Sequence, residues 1–228
     1  EIGSDASPGS ELWYCEVNWG DGSPVENASL SDNAAHTYTT DGSKTAQYQC
    51  YDKAGWPSAP ASDDIFVDTK KPVSHYDLTP ADPNPAGWYK ENVQVDISTI
   101  DSEPSSKIKE IDYSVDGGTP VVVEPSSPSN TFSTSTVLST DGLHSVAFHA
   151  ADKAGNEESE QTTETIKIDK TNPESSVQDF PLEYTASLSF TVNWSGSDDT
   201  SVVSFFDIFY SVVDGPQNQL WLDDTTAT

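Results

Sequence analysis

The chain has 228 residues, of which 34% are hydrophobic and 10% aromatic, enough for small cores and too apolar for simple disorder. Its 38 acidic against 10 basic residues give a formal charge of −28, and every basic residue is a lysine, which argues against nucleic acid as a partner. A field of that size repels itself, so the folded chain is expected to gain from salt or divalent cations. Direct membrane insertion is not expected, because there is no apolar run of about 18 residues.

From the N-terminus, Trp13-Tyr-Cys-Glu-Val-Asn-Trp19 alternates as a strand and leads into the turn Gly20-Asp-Gly-Ser23. Asp41-Gly42 opens a second alternating run that ends at Asp52-Lys-Ala-Gly55, and a short strand follows, closing on Asp68 and Pro72. Cys15 and Cys50 both fall on the inward face of these strands. In a chain of secreted character they are expected to form a disulfide, the alternative being two separate buried thiols. Asn27-Ala-Ser29 and Asn193-Trp-Ser195 are glycosylation sequons, which point to an extracellular address.

The segment Asp41 to Pro72 recurs as Asp141 to Pro173, and a repeat of that length implies tandem domains. The second copy supplies the template. Val93, Val95 and Ile97 alternate in one strand, and Ile108, Ile111, Tyr113 and Val115 lead to the turn Asp116-Gly117-Gly118. Val121 and Val123 follow, then Val146, Phe148 and Ala150 point one way, and Ile166 and Ile168 close the unit. No stretch has a helical period. The expected fold class is all-β, with tandem immunoglobulin-like β-sandwich modules, one complete and two partial. The expected modules are 1–70, lacking early strands, 71–171, complete, and 172–228, lacking late strands. In the last, Phe190-Thr-Val-Asn-Trp194 and Ile208-Phe-Tyr-Ser-Val212 match the early strands, with Asp214-Gly215 at the turn.

With no methionine even at position 1, the chain reads as a processed product or a piece of something longer. Two accounts of the partial modules follow. Either the chain is a window on a longer array, or the early strands of one chain's C-terminal module complete the N-terminal module of the next, head to tail.

Val17-Asn-Trp-Gly-Asp-Gly-Ser23 with His36-Thr-Tyr38 and Asp41-Gly42 resembles the polycystic-kidney-disease (PKD) domain, over about residues 11–68. Gly87-Trp-Tyr89, Tyr113-Ser-Val-Asp-Gly-Gly118 and Ala151-Asp-Lys-Ala-Gly-Asn156 resemble the Ig-like repeats of bacterial and archaeal surface proteins. Asn193-Trp-Ser-Gly-Ser-Asp-Asp199 with Tyr210 is similar to the start of a related or fibronectin-type module. These resemblances imply extracellular, non-catalytic β-sandwiches in S-layers, adhesins, sheaths or filaments, or spacers in secreted hydrolases.

Asp52 and Asp152 occupy the same place before Lys-Ala-Gly, where a carboxylate accepts the amides of the following turn. The alternative is calcium, held by Asp52, Asp68, Asp101, Asp152 and Asp169, with Glu103, Asp198 and Asp199 also within reach of such a reading. The four histidines have no zinc spacing, and no serine sits in a nucleophile elbow, so no enzyme is expected. Trp19 and Trp194 read as core residues, whereas Trp56 and Trp88 near loops are candidate carbohydrate contacts. The expected partners are the chain itself, head to tail, or neighbouring modules of a longer chain. The adhesin or hydrolase-accessory role is the second reading.

Overall fold

The structure is a computed structural model, and it describes residues 9–28, 34–179, 186–212 and 214–226. Among these residues there are 18 strands and no helix. β1 (Leu12–Asn18), β2 (Glu26–Ala28), β3 (Gly42–Asp52) and β4 (Ala61–Val67) form one antiparallel sheet in the order β2-β1-β3-β4. Period-2 alternation puts Cys15 and Val17 of β1 on its buried face, with Cys50 of β3 opposite.

Ten strands follow: β5 (Val73–Thr79), β6 (Trp88–Tyr89), β7 (Val93–Ile100), β8 (Ile108–Val115), β9 (Val121–Val123), β10 (Thr131–Leu138), β11 (Gly142–His144), β12 (Val146–Asp152), β13 (Gln161–Thr162) and β14 (Ile166–Ile168). They make three sheets, β10-β7-β5, β11-β14-β6 and β13-β12-β8-β9. The expected alternation holds. Val93, Val95 and Ile97 of β7, Ile108 and Ile111 of β8, and Val146, Phe148 and Ala150 of β12 are at most 1% exposed. β8 turns into β9 through Asp116 and Gly117, both at positive φ (52° and 67°), the backbone that Asp-Gly supplies in a tight hairpin turn.

The two copies of the repeat differ in one respect. In the first, β3 runs unbroken and pairs with β4 from Gly42 to Tyr48. In the second, the equivalent run is divided around Ser145, and β11 joins one sheet while β12 joins another. β14 pairs antiparallel with β11 and parallel with β6, with Lys167 opposite Trp88 and Ile168 opposite Tyr89.

β15 (Glu174–Val177) pairs with β16 (Trp194–Ser197), and β17 (Phe205–Tyr210) with β18 (Gln219–Thr226), each as a two-stranded sheet. The expected strand Phe190–Trp194 is displaced: pairing with β15 begins only at Trp194, opposite Val177, and Phe190 is 65% exposed. Within β16, Gly196 sits close to Phe206, whose ring a Cβ there would meet at 2.7 Å.

Close contacts group the chain into two units. The first comprises Glu1–Tyr76, Ile97–Thr134 and Ala147–Thr162, and its core includes Cys50, Ile97, Ile108, Ile111 and Phe148. The second comprises Asp77–Asp96, Ser135–Val146 and Thr163–Thr228, with Tyr89, Val93, Val95, Leu138, Ile166 and Ile168 at its core. The described residues are all-β. No helix of the described residues is long and apolar enough to cross a membrane.

Candidate metal centre

The Asp-Lys-Ala-Gly turn is built alike twice, except that the Ala54 amide donates to Asp52 and the Ala154 amide to Ser106 Oγ. Asp52 Oδ1 accepts the amides of Ala54 (2.9 Å) and Trp56 (2.8 Å), and Asp152 Oδ1 accepts that of Asn156 (2.8 Å). The glycine amide returns to the aspartate carbonyl in both, Gly55 to Asp52 at 3.0 Å and Gly155 to Asp152 at 3.3 Å. Both glycines hold positive φ, 86° and 92°, which explains why the turn carries glycine there. Each aspartate thus accepts amides of the turn that follows it.

The surroundings differ. Asp52 is half-buried, and its Oδ2 accepts the Ser10 hydroxyl. Asp152 is fully buried, and one carboxylate oxygen of each of Asp68, Asp101 and Asp152 lies within 4.8 Å of the others. All three belong to the first unit. Asp68 follows β4, Asp101 follows β7 and Asp152 ends β12, so the chain brings three distant segments to one point. They are 8%, 1% and 0% exposed.

Their hydrogen bonds are unequal. Asp68 Oδ1 accepts the Lys70 amide and Oδ2 that of Ser106 (2.7 Å). Burial opposes its ionisation, but these amides, aided by the Lys70 charge, outweigh it and hold the carboxyl below its ordinary value. Asp152 Oδ2 accepts the Asn156 side-chain amide, which adds to the backbone bond on Oδ1. Asp101 Oδ2 accepts the Ser105 hydroxyl (2.6 Å) and, at 3.3 Å, the Lys107 amide, while its buried Oδ1 has no hydrogen-bond partner. Burial first, then the charges of Asp68 and Asp152, push the Asp101 carboxyl above its ordinary value.

No lysine or histidine among the described residues forms an ion pair with the three. Lys70 Nζ donates to the Glu103 carbonyl, and Lys107 Nζ donates to Asn130 Oδ1 (2.6 Å) and Glu103 Oε1 (3.4 Å). Three carboxylates, none in ion-pair contact with an ammonium among the described residues, and one unpaired buried oxygen make a site suited chemically to a hard, oxygen-seeking cation.

The structure gathers three of the five aspartates expected to hold calcium. Asp52 is spent on its own turn, and Asp169, in the second unit, accepts the Thr171 amide. Glu103 turns to Asn130 and Lys107, and Asp198 caps Thr200 and Ser201. Ser105, Ser106 and Asn156, which hold the cluster, were not distinguished in the sequence. Only their proximity in sequence to Asp101 and Asp152 could have found them.

A second polar cluster lies in the first unit. Asp21 Oδ2 meets His36 Nε2 at 2.7 Å, the His36 ring stacks on Trp19 at 4.9 Å, and the Tyr38 hydroxyl donates to the Trp19 carbonyl. Hydrogen bonds from Ser23 and His36 hold Asp21 well below its ordinary value. His36 and Tyr38 lie in a loop, and both contact Trp19. Trp19 is half-buried, with a buried, unpartnered Nε1. Of the other tryptophans, Trp56 is 75% exposed, Trp194 is half-buried, and Trp88 is half-buried with Lys167 Nζ 5.9 Å from its ring centroid. The sequon residues Asn27 and Asn193 are both exposed, and Ser29 of the first sequon lies outside the described residues.

No known sequence family matches this chain, and no curated protein does. Among solved structures it is similar to the Clostridium thermocellum CbhA fibronectin(III)-like modules. The identity is 16% and the TM-score 0.33, over 73% of this chain and 80% of that one.

Proposed function

We propose that the chain is a non-catalytic structural region of an extracellular cell-surface or filament-forming protein, made of modules at 1–70, 71–171 and 172–228 that join head to tail with like modules by completing one another's sheets. One observation carries this reading. β15–β16 and β17–β18 are two-stranded sheets, and Val177, Phe205, Phe209, Leu220 and Trp221 on them are 50–61% exposed. A two-stranded sheet is marginal in water by itself and gains from further strands laid against it. The occupant in this reading is a second copy of the chain, whose β2-β1-β3-β4 sheet exposes Trp13, Ile65 and Phe66. The Cys15–Cys50 disulfide fits an oxidising compartment, and exposed Asn27 and Asn193 are accessible to glycosylation there. The PKD-like and surface-repeat resemblances point the same way.

The test is light scattering on the purified chain over a range of concentrations, with and without residues 173–228. Concentration-dependent assembly that disappears on deletion supports the reading. A monomer at all concentrations, or assembly that survives the deletion, overturns strand completion. The second reading, an adhesin or a carbohydrate-binding accessory of a secreted hydrolase, is favoured by Trp56 alone. It predicts glycan binding that is lost in Trp56→Ala.

A further inference from the structure

We propose that Asp68, Asp101 and Asp152 bind one calcium ion, with the unpartnered Oδ1 of Asp101 as a direct ligand, and that this ion fastens the segment after β4 to the body of the first unit. The inference rests on the first unit alone and stands whether or not chains assemble.

Two independent observations carry it. The first is convergence: three carboxylates from distant segments, none more than 8% exposed, meet with one oxygen of each inside 4.8 Å. Oxygens that share one calcium at about 2.3–2.6 Å lie no more than about 5 Å apart, whereas magnesium at about 2.0–2.1 Å demands a tighter set. The second is the Asp101 Oδ1 atom. A buried polar atom without a partner is costly, and native interiors rarely keep one that does not meet a ligand. Its residue is 1% exposed, and its other oxygen is held by Ser105 and Lys107, which leaves Oδ1 for the ion.

The hydrogen bonds to the remaining oxygens orient the ligands. Ser106 and Lys70 fix Asp68, and Asn156 fixes Asp152 through both its backbone and side-chain amides. Asn156 Nδ2 also donates to the Asp68 carbonyl at 3.0 Å, so one side chain ties two of the three ligand-bearing segments. Three carboxylates supply part of the six to eight oxygens calcium takes, and water supplies the rest. The formal charge at the site falls from −3 to −1 on binding, arithmetic that follows from three ionised carboxylates and a divalent ion. Repulsion that opposes the fold becomes attraction that supports it.

The test uses the whole chain, stripped with a chelator and held in potassium chloride concentrated enough to screen the surface charge. Calcium chloride alone is titrated by calorimetry, and thermal unfolding is followed with and without it. The expected result is one saturable site per chain and a calcium-dependent rise in Tm, both lost in Asp101→Asn. In the chelator that variant should unfold no lower than the wild type, because it removes a like charge. Absence of a saturable site in the wild type, or an unchanged calcium response in Asp101→Asn, overturns the proposal. NMR on the wild type is independent of the variant. Calcium-induced shifts should centre on the amides of Ser106, Lys107 and Asn156, and shifts spread evenly over the acidic surface would mean screening only and would equally overturn it.

Discussion

Cys15 and Cys50 are directly opposed partners on neighbouring strands, so their disulfide staples one sheet internally and does not tie two layers together. The backbone already pairs β1 with β3 along that length, so the covalent bond acts chiefly on the unfolded chain by closing a loop between residues 35 apart. Replacing both cysteines by alanine should cost up to about 4 kcal/mol in the chain-entropy account, read as a lower urea midpoint with an unchanged Asp68 cluster.

Gly20, in the turn after β1, makes a tight approach to β3. It holds φ at 74°, and a Cβ there would lie 2.3 Å from the carbonyl oxygen of Thr45 on β3. Gly20→Ala should cost about 1–3 kcal/mol and loosen the Trp19–His36 stack beside it. Gly22→Ala, which meets no atom within 4 Å, should bear only the backbone strain of φ 86°. Equal losses from the two variants would contradict the close approach.

Acid should act on two aspartates in opposite senses. Asp21 is depressed by Ser23 and His36, so the stability it contributes is complete above its ordinary 3.8 and is lost as pH falls further, toward its depressed value. Asp101 is raised by burial and by its two acidic neighbours, so without calcium the folded chain takes up that proton first and gains stability as pH falls through the raised value. In the chelator, the difference in stability between wild type and Asp101→Asn should therefore shrink on acidification from neutral pH. Asp21→Asn should flatten only the loss below about 3.8.

Glu158 is a structural carboxylate that the repeat alone would not single out. It accepts the amide and hydroxyl of Ser74, the Ala150 amide at 2.9 Å and the Gln161 side chain at 3.1 Å. Ser74 is 6% exposed and Ala150 fully buried, so Glu158→Ala strands two buried amides at about 1–3 kcal/mol each before relaxation. Faster hydrogen exchange at Ser74 and Ala150, with exchange in β1–β4 unchanged, would show the loss to be local.

The sequence makes most of the fold legible where burial is one-sided. Val93, Val95 and Ile97 announce β7 because every second residue must enter the core, and Asp116-Gly117 announces its hairpin because few other pairs accept positive φ twice in succession. The same logic fails at Phe190–Trp194. There an alternating pattern exists, but pairing begins only at Trp194 and runs to Ser197, four residues later than the pattern starts. Of the metal candidates, Asp52 and Asp152 share the Asp-Lys-Ala-Gly turn, and only the residue after it, Trp56 against Asn156, separates them locally. Only the arrival of Asp68 and Asp101 from elsewhere in the chain makes Asp152 part of a cluster, and such long-range convergence leaves no local mark.

The parallel pairing of β6 with β14 bears on how tension is resisted. Trp88 and Tyr89 enter early and Ile166–Ile168 leave late, so pulling the chain from both sides slides these two strands past each other. Their bonds, with the Asp169 amide on the Tyr89 carbonyl at 2.9 Å, are then strained together and not peeled away one at a time. Trp88 and Tyr89 are only two residues, yet a force applied along the chain would meet their bonds in shear.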